Sequence, residues 1–261
     1  MDFLTRSEKQ RDSRQILYPA WGGRAQHALK KASVFIAGAG GLGCPVMTCL
    51  AAAGVGCMRV CDQGEVEHSN LNRQILYSES HLEKSKVEVA KKTVKQINPS
   101  VHFEAHKKRI GDSNIDSLIA DSDLIIDCLD NFETRFLLNA YAVKNAVPLI
   151  HGGVRGLVGQ LTFIHSPFTP CLRCMIGEEV GQSTVFPILG ATAGIIGSLQ
   201  ALEALKYITK TGELLAGRIL FWDGEKNMFH LSREQKRLEC PVCGPSQTEK
   251  VSRAHKKLDN S

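Results

Sequence analysis

The residues Ser33-Val34-Phe35-Ile36-Ala37-Gly38-Ala39-Gly40-Gly41-Leu42-Gly43 carry the reading of the fold. Ser33 to Ala37 is a short apolar run of the kind that forms a buried strand. Gly38, Gly40 and Gly43 then fit G-x-G-x-x-G, and a helical stretch runs from Cys44 to Ala53. Strand, glycine turn and helix in that order are the context a nucleotide-binding fingerprint requires. Gly38 permits the tight turn, Gly40 lets a phosphate approach the backbone, and Gly43 lets the helix pack close to the strand. Free amides and the helix dipole favour an anion at the helix start. Cys57 to Asp62 reads as the second strand, and its terminal acid lies 19 positions after Gly43, about where a ribose-binding carboxylate is expected. By itself the motif serves a dinucleotide or ATP.

Beyond Asp62 the loop from Gln63 to Gln74 is dense in polar groups, with Asn70, Arg73 and Gln74 close together. Doubly wound folds place ligand contacts at the carboxyl ends of strands. An arginine beside a phosphate cradle forms bidentate, charge-assisted bonds; on an ordinary surface it would form salt bridges. Leu82 to Ile97 has helical spacing with Val87, Ala90 and Val94 on one face, and Asn98-Pro99 stops it. Lys86 near its start is a solvated lysine unless the preceding loop folds back over the phosphates. Val101 to Ala105 reads as a strand, Ile115 to Ala120 as a short helix and Leu124 to Asp127 as a buried strand. Asp127 and Asp130 then lie on the glycine-turn side of the sheet, where a carboxylate suits Mg²⁺ together with phosphates. Alternatively Asp130 caps the helix read over Phe132 to Asn145.

After the strand Val147 to His151, Gly152, Gly153 and Gly156 break the chain, and Gly159 to Ile164 starts a different connectivity. The βα alternation ends there, so antiparallel strands are expected to extend the sheet. Gly190 to Ile208 is a long helix, with Ile195, Leu199, Leu202 and Leu205 expected to bury one stripe. Arg218 to Asp223 and Met228 to Leu231 read as a hairpin. The expected class is α/β: a Rossmann-like sheet with helices on both faces, parallel in its N-terminal half and antiparallel in its C-terminal half. Residues 1–32 form an arm and a helix (Gly23 to Lys31), 33–244 a single domain, and 245–261 a disordered tail. In the arm, Arg11 and Arg14 read locally as a solvated basic segment.

At 261 residues, with 43% hydrophobic and 23% charged residues, the chain is long enough for one large α/β domain. Its N-terminus is polar, no apolar run approaches bilayer length, and the net charge of +5 comes without a basic–aromatic stripe. A cytoplasmic protein is expected, binding neither membrane nor nucleic acid. Of nine cysteines, Cys44, Cys49, Cys57, Cys61 and Cys128 sit inside apolar segments and are expected to be buried and reduced. Cys171-x-x-Cys174 and Cys240-x-x-Cys243 are separated by 65 residues. Two such pairs read as a closed, structural zinc site of four cysteines that clips distant segments together. A redox pair is the weaker alternative.

Together, Arg11-x-x-Arg14-Gln15, the GAGGLG turn, Ser69 to Gln74 (SNLNRQ), Asp127 to Asn131 (DCLDN), Gly197 to Lys206 (GSLQALEALK) and the two CxxC pairs resemble the ThiF/MoeB/HesA family. These are bacterial relatives of ubiquitin-activating enzymes, and the resemblance runs from Arg11 to Gly244. It implies ATP-dependent adenylation of the C-terminal glycine of a small ubiquitin-like sulfur carrier ending in Gly-Gly, for molybdopterin or thiamin biosynthesis. Implied nucleotide contacts are Gly38, Gly40, Gly41, Gly43, Asp62, Asn70, Arg73, Gln74, Lys86, Asp130 and Asn131. Arg73 and Lys86 would hold the triphosphate, Asp130 would position Mg²⁺, and Arg14 would act in a neighbouring subunit of a homodimer. Catalytic roles thus fall to Arg14, Arg73, Lys86 and Asp130, and zinc to Cys171, Cys174, Cys240 and Cys243.

The chain departs from the family pattern at Asp12 (usually aromatic), Gly64 (often a second acid) and Ser183 (a carrier-linking cysteine in some members). Adenylation without a covalent carrier intermediate is therefore expected. No rhodanese-like segment follows Gly244, so a separate sulfur donor is expected. A non-catalytic carrier-binding scaffold and an NAD-dependent oxidoreductase are the alternatives.

Overall fold

In a computed structural model, residues 4–176 and 186–244 are described. Three helices precede the sheet: α1 (Arg6–Arg11), α2 (Ser13–Ile16) and α3 (Gly22–Lys31). Thr5 and Glu8 cap the first reciprocally, and Glu8 also pairs with Lys30 at 2.6 Å, so the arm is tied to α3. Lys30 draws the Glu8 carboxyl down to about 2. The arm is therefore not a solvated basic segment throughout. The Arg11 guanidinium donates to the Ile97 carbonyl, while Arg14 is exposed on α2. Buried Asp12 accepts from Gln26 Nε2 at 2.9 Å, and the same amide group donates to Ala53 O at 2.8 Å. The departure at Asp12 thus holds α2 on the rest of the fold.

The chain then alternates: β1 (Ser33–Ala37), α4 (Gly43–Ala53), β2 (Cys57–Cys61), α5 (Lys86–Ile97), β3 (His102–His106), α6 (Ile115–Ile119), β4 (Leu124–Asp127), α7 (Phe132–Asn145) and β5 (Leu149–Arg155). After it come β6 (Val158–Ile164), α8 (Leu172–Ile176), α9 (Gly190–Thr209), β7 (Arg218–Asp223) and β8 (Met228–Arg233). One sheet orders them β3-β2-β1-β4-β5-β6-β7-β8. The first five strands run parallel and the last three join antiparallel, as expected.

Alternation along the central strands sorts the two faces. Val34, Ile36, Leu124 and Ile126 face α4, α5 and α9; Phe35, Ala37, Ile125 and Leu149 face α6 and α7. Both faces are covered, which is why β1 and β4 are apolar without interruption. On α5, Val87, Ala90 and Val94 are buried as expected, but the helix begins at Lys86 rather than Leu82.

Two sequence readings need correction. Gly152 and Gly153 do not break the chain: they lie inside β5, where a Cβ on Gly152 would stand 2.4 Å from Gln200 Cδ. The break comes at Gly156, in the β5–β6 turn at φ +57°. On α9 the buried stripe is Ala193, Ile196, Gly197, Gln200, Ala201 and Ala204, while Leu202 is 50% exposed and Ile195, Leu199 and Leu205 are only partly covered. Small residues face inward because α9 lies tight against α4; a Cβ on Gly197 would sit 2.4 Å from Pro45 Cγ. Among the described residues no helix is long and apolar enough to cross a membrane. The tail from 245 and Ser183 lie outside the described residues.

Candidate functional site

The sheet order reverses between β1 and β4, and ligand crevices form at such a switch point. Here the glycine turn fills it. Gly38 has φ +99° and a Cβ there would meet Cys128 O at 2.8 Å, so the turn nests against the strand beside it. Gly43 is tighter: its Cβ would lie 2.1 Å from Gly38 O. Gly40 and Gly41 have more room, with nearest neighbours at 3.8 Å and 3.4 Å. Tyr77 locks the turn from behind by donating to Ala39 O at 2.7 Å, and burial raises its phenol well above the usual value. Burial likewise pushes the Cys44 thiol up to about 12.

Asp62 follows β2 and faces the same crevice. Its Oδ2 accepts from Ala39 N at 2.8 Å and its Oδ1 from Gly64 N at 2.7 Å. A carboxylate has about four lone-pair sites, so two stay open for further donors. Gly64 has a local role: a Cβ there would stand 3.1 Å from Asp62 Oδ1 and 3.4 Å from Lys86 Nζ. Lys86, first residue of α5, donates its backbone N–H to Gly64 O at 3.1 Å. The loop therefore folds back and brings Lys86 into one cavity wall with the glycine turn. Its ammonium makes no hydrogen bond or ion pair among the described residues. Arg73 is aimed by Ser69 O (2.7 Å) and Asn72 Oδ1 (2.9 Å), which leaves its other N–H groups for a ligand.

These groups share a cavity of about 680 Å³ whose wall includes Gly38, Gly40, Gly41, Asp62, Arg73, Gln74, Lys86 and Asp130. It continues over β5 to β7 past Gly153, Gln160, Phe221 and Trp222. Gln74 is buried and its Oε1 has no hydrogen-bond partner among the described residues. Four expected residues are not in that wall: Gly43, whose role is packing against Gly38, and three others. Asn70 is buried and its Oδ1 accepts from Glu67 N at 3.2 Å, which shapes the loop. Asn131, not Asp130, caps α7: its Oδ1 accepts from Thr134 N at 3.0 Å. Arg14 does not line this cavity.

Asp127 is not a solvent-side metal carboxylate. It is fully buried, and its Oδ2 lies 2.7 Å from His151 Nδ1 and 3.5 Å from Arg135 Nε. Burial would raise this carboxyl, but Arg135 and His151 outweigh it and hold it below the usual range. Asp127 Oδ1 accepts from Leu129 N, and Arg135 donates to Leu129 O, so the turn presenting Asp130 is pinned from both sides. Sequence reading missed Arg135, His151 and Gln160. The available signal was Arg135 lying on the stripe that Leu138 and Ala142 bury.

On the other face, the four cysteine sulfurs lie within 4.8 Å of one another, with Cys171–Cys240 at 3.7 Å and Cys174–Cys243 at 3.4 Å. Four ligands at a Zn–S length of about 2.3 Å have sulfurs about 3.8 Å apart, so the cluster can bind zinc. Arg237 N donates to Cys174 Sγ at 3.4 Å, the outer contact that orients a thiolate ligand. A second group, Cys57, His102 and Glu104, is partly exposed, and Glu104 is already paired with Arg59 at 2.8 Å.

The ThiF family model matches residues 12–242. "Adenylyltransferase and sulfurtransferase MOCS3" of Drosophila yakuba is 41% identical over 246 residues, 92% of this chain and 54% of that one. The protein of that name from Anopheles gambiae is 39% identical over 251 residues, 94% and 57%. The chain thus spans about half the length of these curated relatives. Among solved structures, E. coli MccB with ATP aligns at TM-score 0.81 and 25% identity, over 89% of this chain and 74% of that one. MccB with MccA-N7isoASN aligns at 0.83 and 23%, over 93% and 76%.

Proposed function

The chain belongs to the ThiF family, and on that premise we propose that it adenylates the C-terminal glycine of a small ubiquitin-like sulfur carrier ending in Gly-Gly. The single observation that carries this reading is the shared cavity: the glycine turn, Asp62, Arg73, Lys86 and Asp130 converge on one end, and an open path leads away over β5 to β7. An activating enzyme needs that layout, with a nucleotide held at a switch point and a partner's tail reaching it. The insect relatives are named adenylyltransferases.

In the proposed reaction a carboxylate oxygen of the carrier attacks the α-phosphorus of ATP. The bond from that phosphorus to the bridging oxygen breaks, and pyrophosphate leaves with the electron pair. The attacking group is already ionised, so no protein base or nucleophile is needed, and positioning with charge stabilisation suffices. Amides around Gly40 and Gly41 and the start of α4 would receive phosphate oxygens, and Asp62 the ribose hydroxyls. Arg73 and Lys86 would neutralise charge that grows on the phosphates. Asn70 and Asn131 would act by shaping the loop and the helix start. Asp130 is exposed at the cavity with no hydrogen-bond partner among the described residues, a donor that fits Mg²⁺ held by one carboxylate and phosphates. Bound there, the ion would offset the charge of the leaving pyrophosphate. Zinc in the four-cysteine cluster would be structural.

We further propose a cytoplasmic homodimer in which Arg14 reaches the neighbouring subunit's cavity, acting in a sulfur-transfer route such as molybdopterin or thiamin synthesis. ATP–pyrophosphate exchange with Mg²⁺, with and without carriers ending in Gly-Gly, is the deciding experiment. Exchange that depends on one carrier supports the reading. Binding of ATP and carrier without exchange would favour a scaffold.

A further inference from the structure

Behind the cavity wall lies a polar chain that the adenylation chemistry does not employ. His151 is 1% exposed, with Nδ1 2.7 Å from Asp127 Oδ2 and Nε2 3.2 Å from Gln160 Nε2. Charge fixes the direction of both bonds. Ionised Asp127 can only accept, so Nδ1 carries the proton. Burial lowers the His151 pKa against the pull of Asp127, so the ring is neutral and Nε2 is an acceptor. Gln160 must therefore donate its amide N–H to His151; the opposite amide orientation would face two acceptors. The Gln160 carbonyl oxygen is left free and has no partner among the described residues, on a side chain that lines the cavity.

Gln160 lies between a bare stretch of β5 and Phe221, its cross-strand partner on β7. Gly153 pairs with it across the β5–β6 ladder, and a Cβ there would come within 3.3 Å of Gln160 Cγ. Gly159, next along β6, faces the other way, toward α9, where a Cβ would meet Ile196 Cγ1 at 2.3 Å. An extended peptide lying over Gly153 would meet an oriented acceptor in the wall.

We propose that Gln160 reads the carrier's tail: its carbonyl oxygen accepts one backbone N–H of the extended C-terminal segment, and the Asp127–His151 pair holds the amide in that orientation. This rests on the adenylation reading and adds a specificity to it. The site selects a tail with a secondary amide at that point and rejects proline there, because proline has no N–H.

The test removes single N–H groups from the ligand. A ubiquitin-like sulfur carrier ending in Gly-Gly is made by semisynthesis with an ester in place of each of its last three peptide bonds in turn. Affinity for the full chain is read by fluorescence anisotropy, beside pyrophosphate exchange. One ester should weaken binding to the wild type about fivefold, the worth of a single hydrogen bond. Gln160→Met, close in volume, should weaken the native tail by a similar factor and make that ester cost nothing further. Gln160→Leu is the second variant should the first melt early. No ester effect at any position, or ester and Gln160 effects that simply multiply, would overturn the proposal. If the wild type binds a carrier without exchange, the adenylation reading fails while the ester cycle still decides the role of Gln160. If it binds none, both fall.

Discussion

Replacing Gly43 by alanine should damage the fold, whereas the same change at Gly40 should damage only ligand binding. A Cβ on Gly43 would lie 2.1 Å from Gly38 O and 3.0 Å from Gly38 C. Real Cβ contacts do not fall below 3.0 Å, so the oxygen must retreat by about 0.9 Å. No side-chain rotation can relieve this, because both partners are backbone. The turn also nests closely against the end of β4, where a Cβ built on Gly38 would stand 2.8 Å from the Cys128 carbonyl oxygen, so it has little room to swing away. Overpacking in a core costs about 1–3 kcal/mol, and a rigid contact belongs at the upper end. At roughly 2–4 °C per kcal/mol for a domain of this size, Gly43→Ala should melt about 6–12 °C lower. On Gly40 the nearest atom is the flexible Gln74 amide at 3.8 Å, so Gly40→Ala should melt within about 2 °C of wild type. Its methyl would intrude where phosphate approaches the amides, so ATP affinity by calorimetry should fall. Equal melting temperatures for the two variants would refute the packing argument.

Asp130→Ala should abolish carrier-dependent pyrophosphate exchange while leaving the circular dichroism spectrum and melting temperature unchanged; near-normal exchange would remove its metal role. Cys171→Ser should lose zinc, measured by elemental analysis, and lower the melting temperature, because metal binding is coupled to folding; full zinc retention would contradict the four-sulfur site. Mixing Arg14→Ala with Asp130→Ala protein should restore part of the activity through hybrid dimers, and no recovery after verified subunit exchange would count against action in trans. His151 should make the fold acid-sensitive. Its native pKa lies below its usual 6.5, so between those values the unfolded chain binds more protons and stability falls as pH drops. Asp127, also lowered, adds a further loss as pH falls from its usual 3.8 through the native value. Urea midpoints at pH 7.5 and 5.5 should diverge more in wild type than in His151→Gln; an equal drop would contradict a buried neutral imidazole.

The sheet was legible because burial on both faces leaves unbroken apolar runs at β1 and β4 and a regular βα spacing between them. The glycine turn was legible because close approach of backbone to backbone restricts the residue type. The α9 stripe was misread because large apolar residues were taken to point inward. At the contact with α4 the inward positions are small, and Leu202 is left outside. Asp127 and Asp130 look alike in sequence, and only the partners, His151 and Arg135 for one and the open cavity for the other, separate a buried ion pair from a candidate metal ligand. Those partners lie 24 and 8 positions from Asp127, a juxtaposition made by the strand order and invisible to local pattern. The four cysteines were readable because cysteine pairs with two residues between them have few other structural uses.

Strand order also has a consequence for synthesis. From β5 onward each strand docks beside its immediate predecessor, in the order β4-β5-β6-β7-β8. On a ribosome that delivers the N-terminal part first, every late strand therefore emerges facing an edge already in place. The exception is β4, which must join β1 on the side away from β2 after more than eighty intervening residues have been made. The Cys171–Cys174 pair waits for Cys240 and Cys243, so capture of a metal by the four sulfurs would come last and would act as a latch on completed assembly. Ribosome-stalled chains ending before residue 240 should hold the nucleotide cradle without holding zinc.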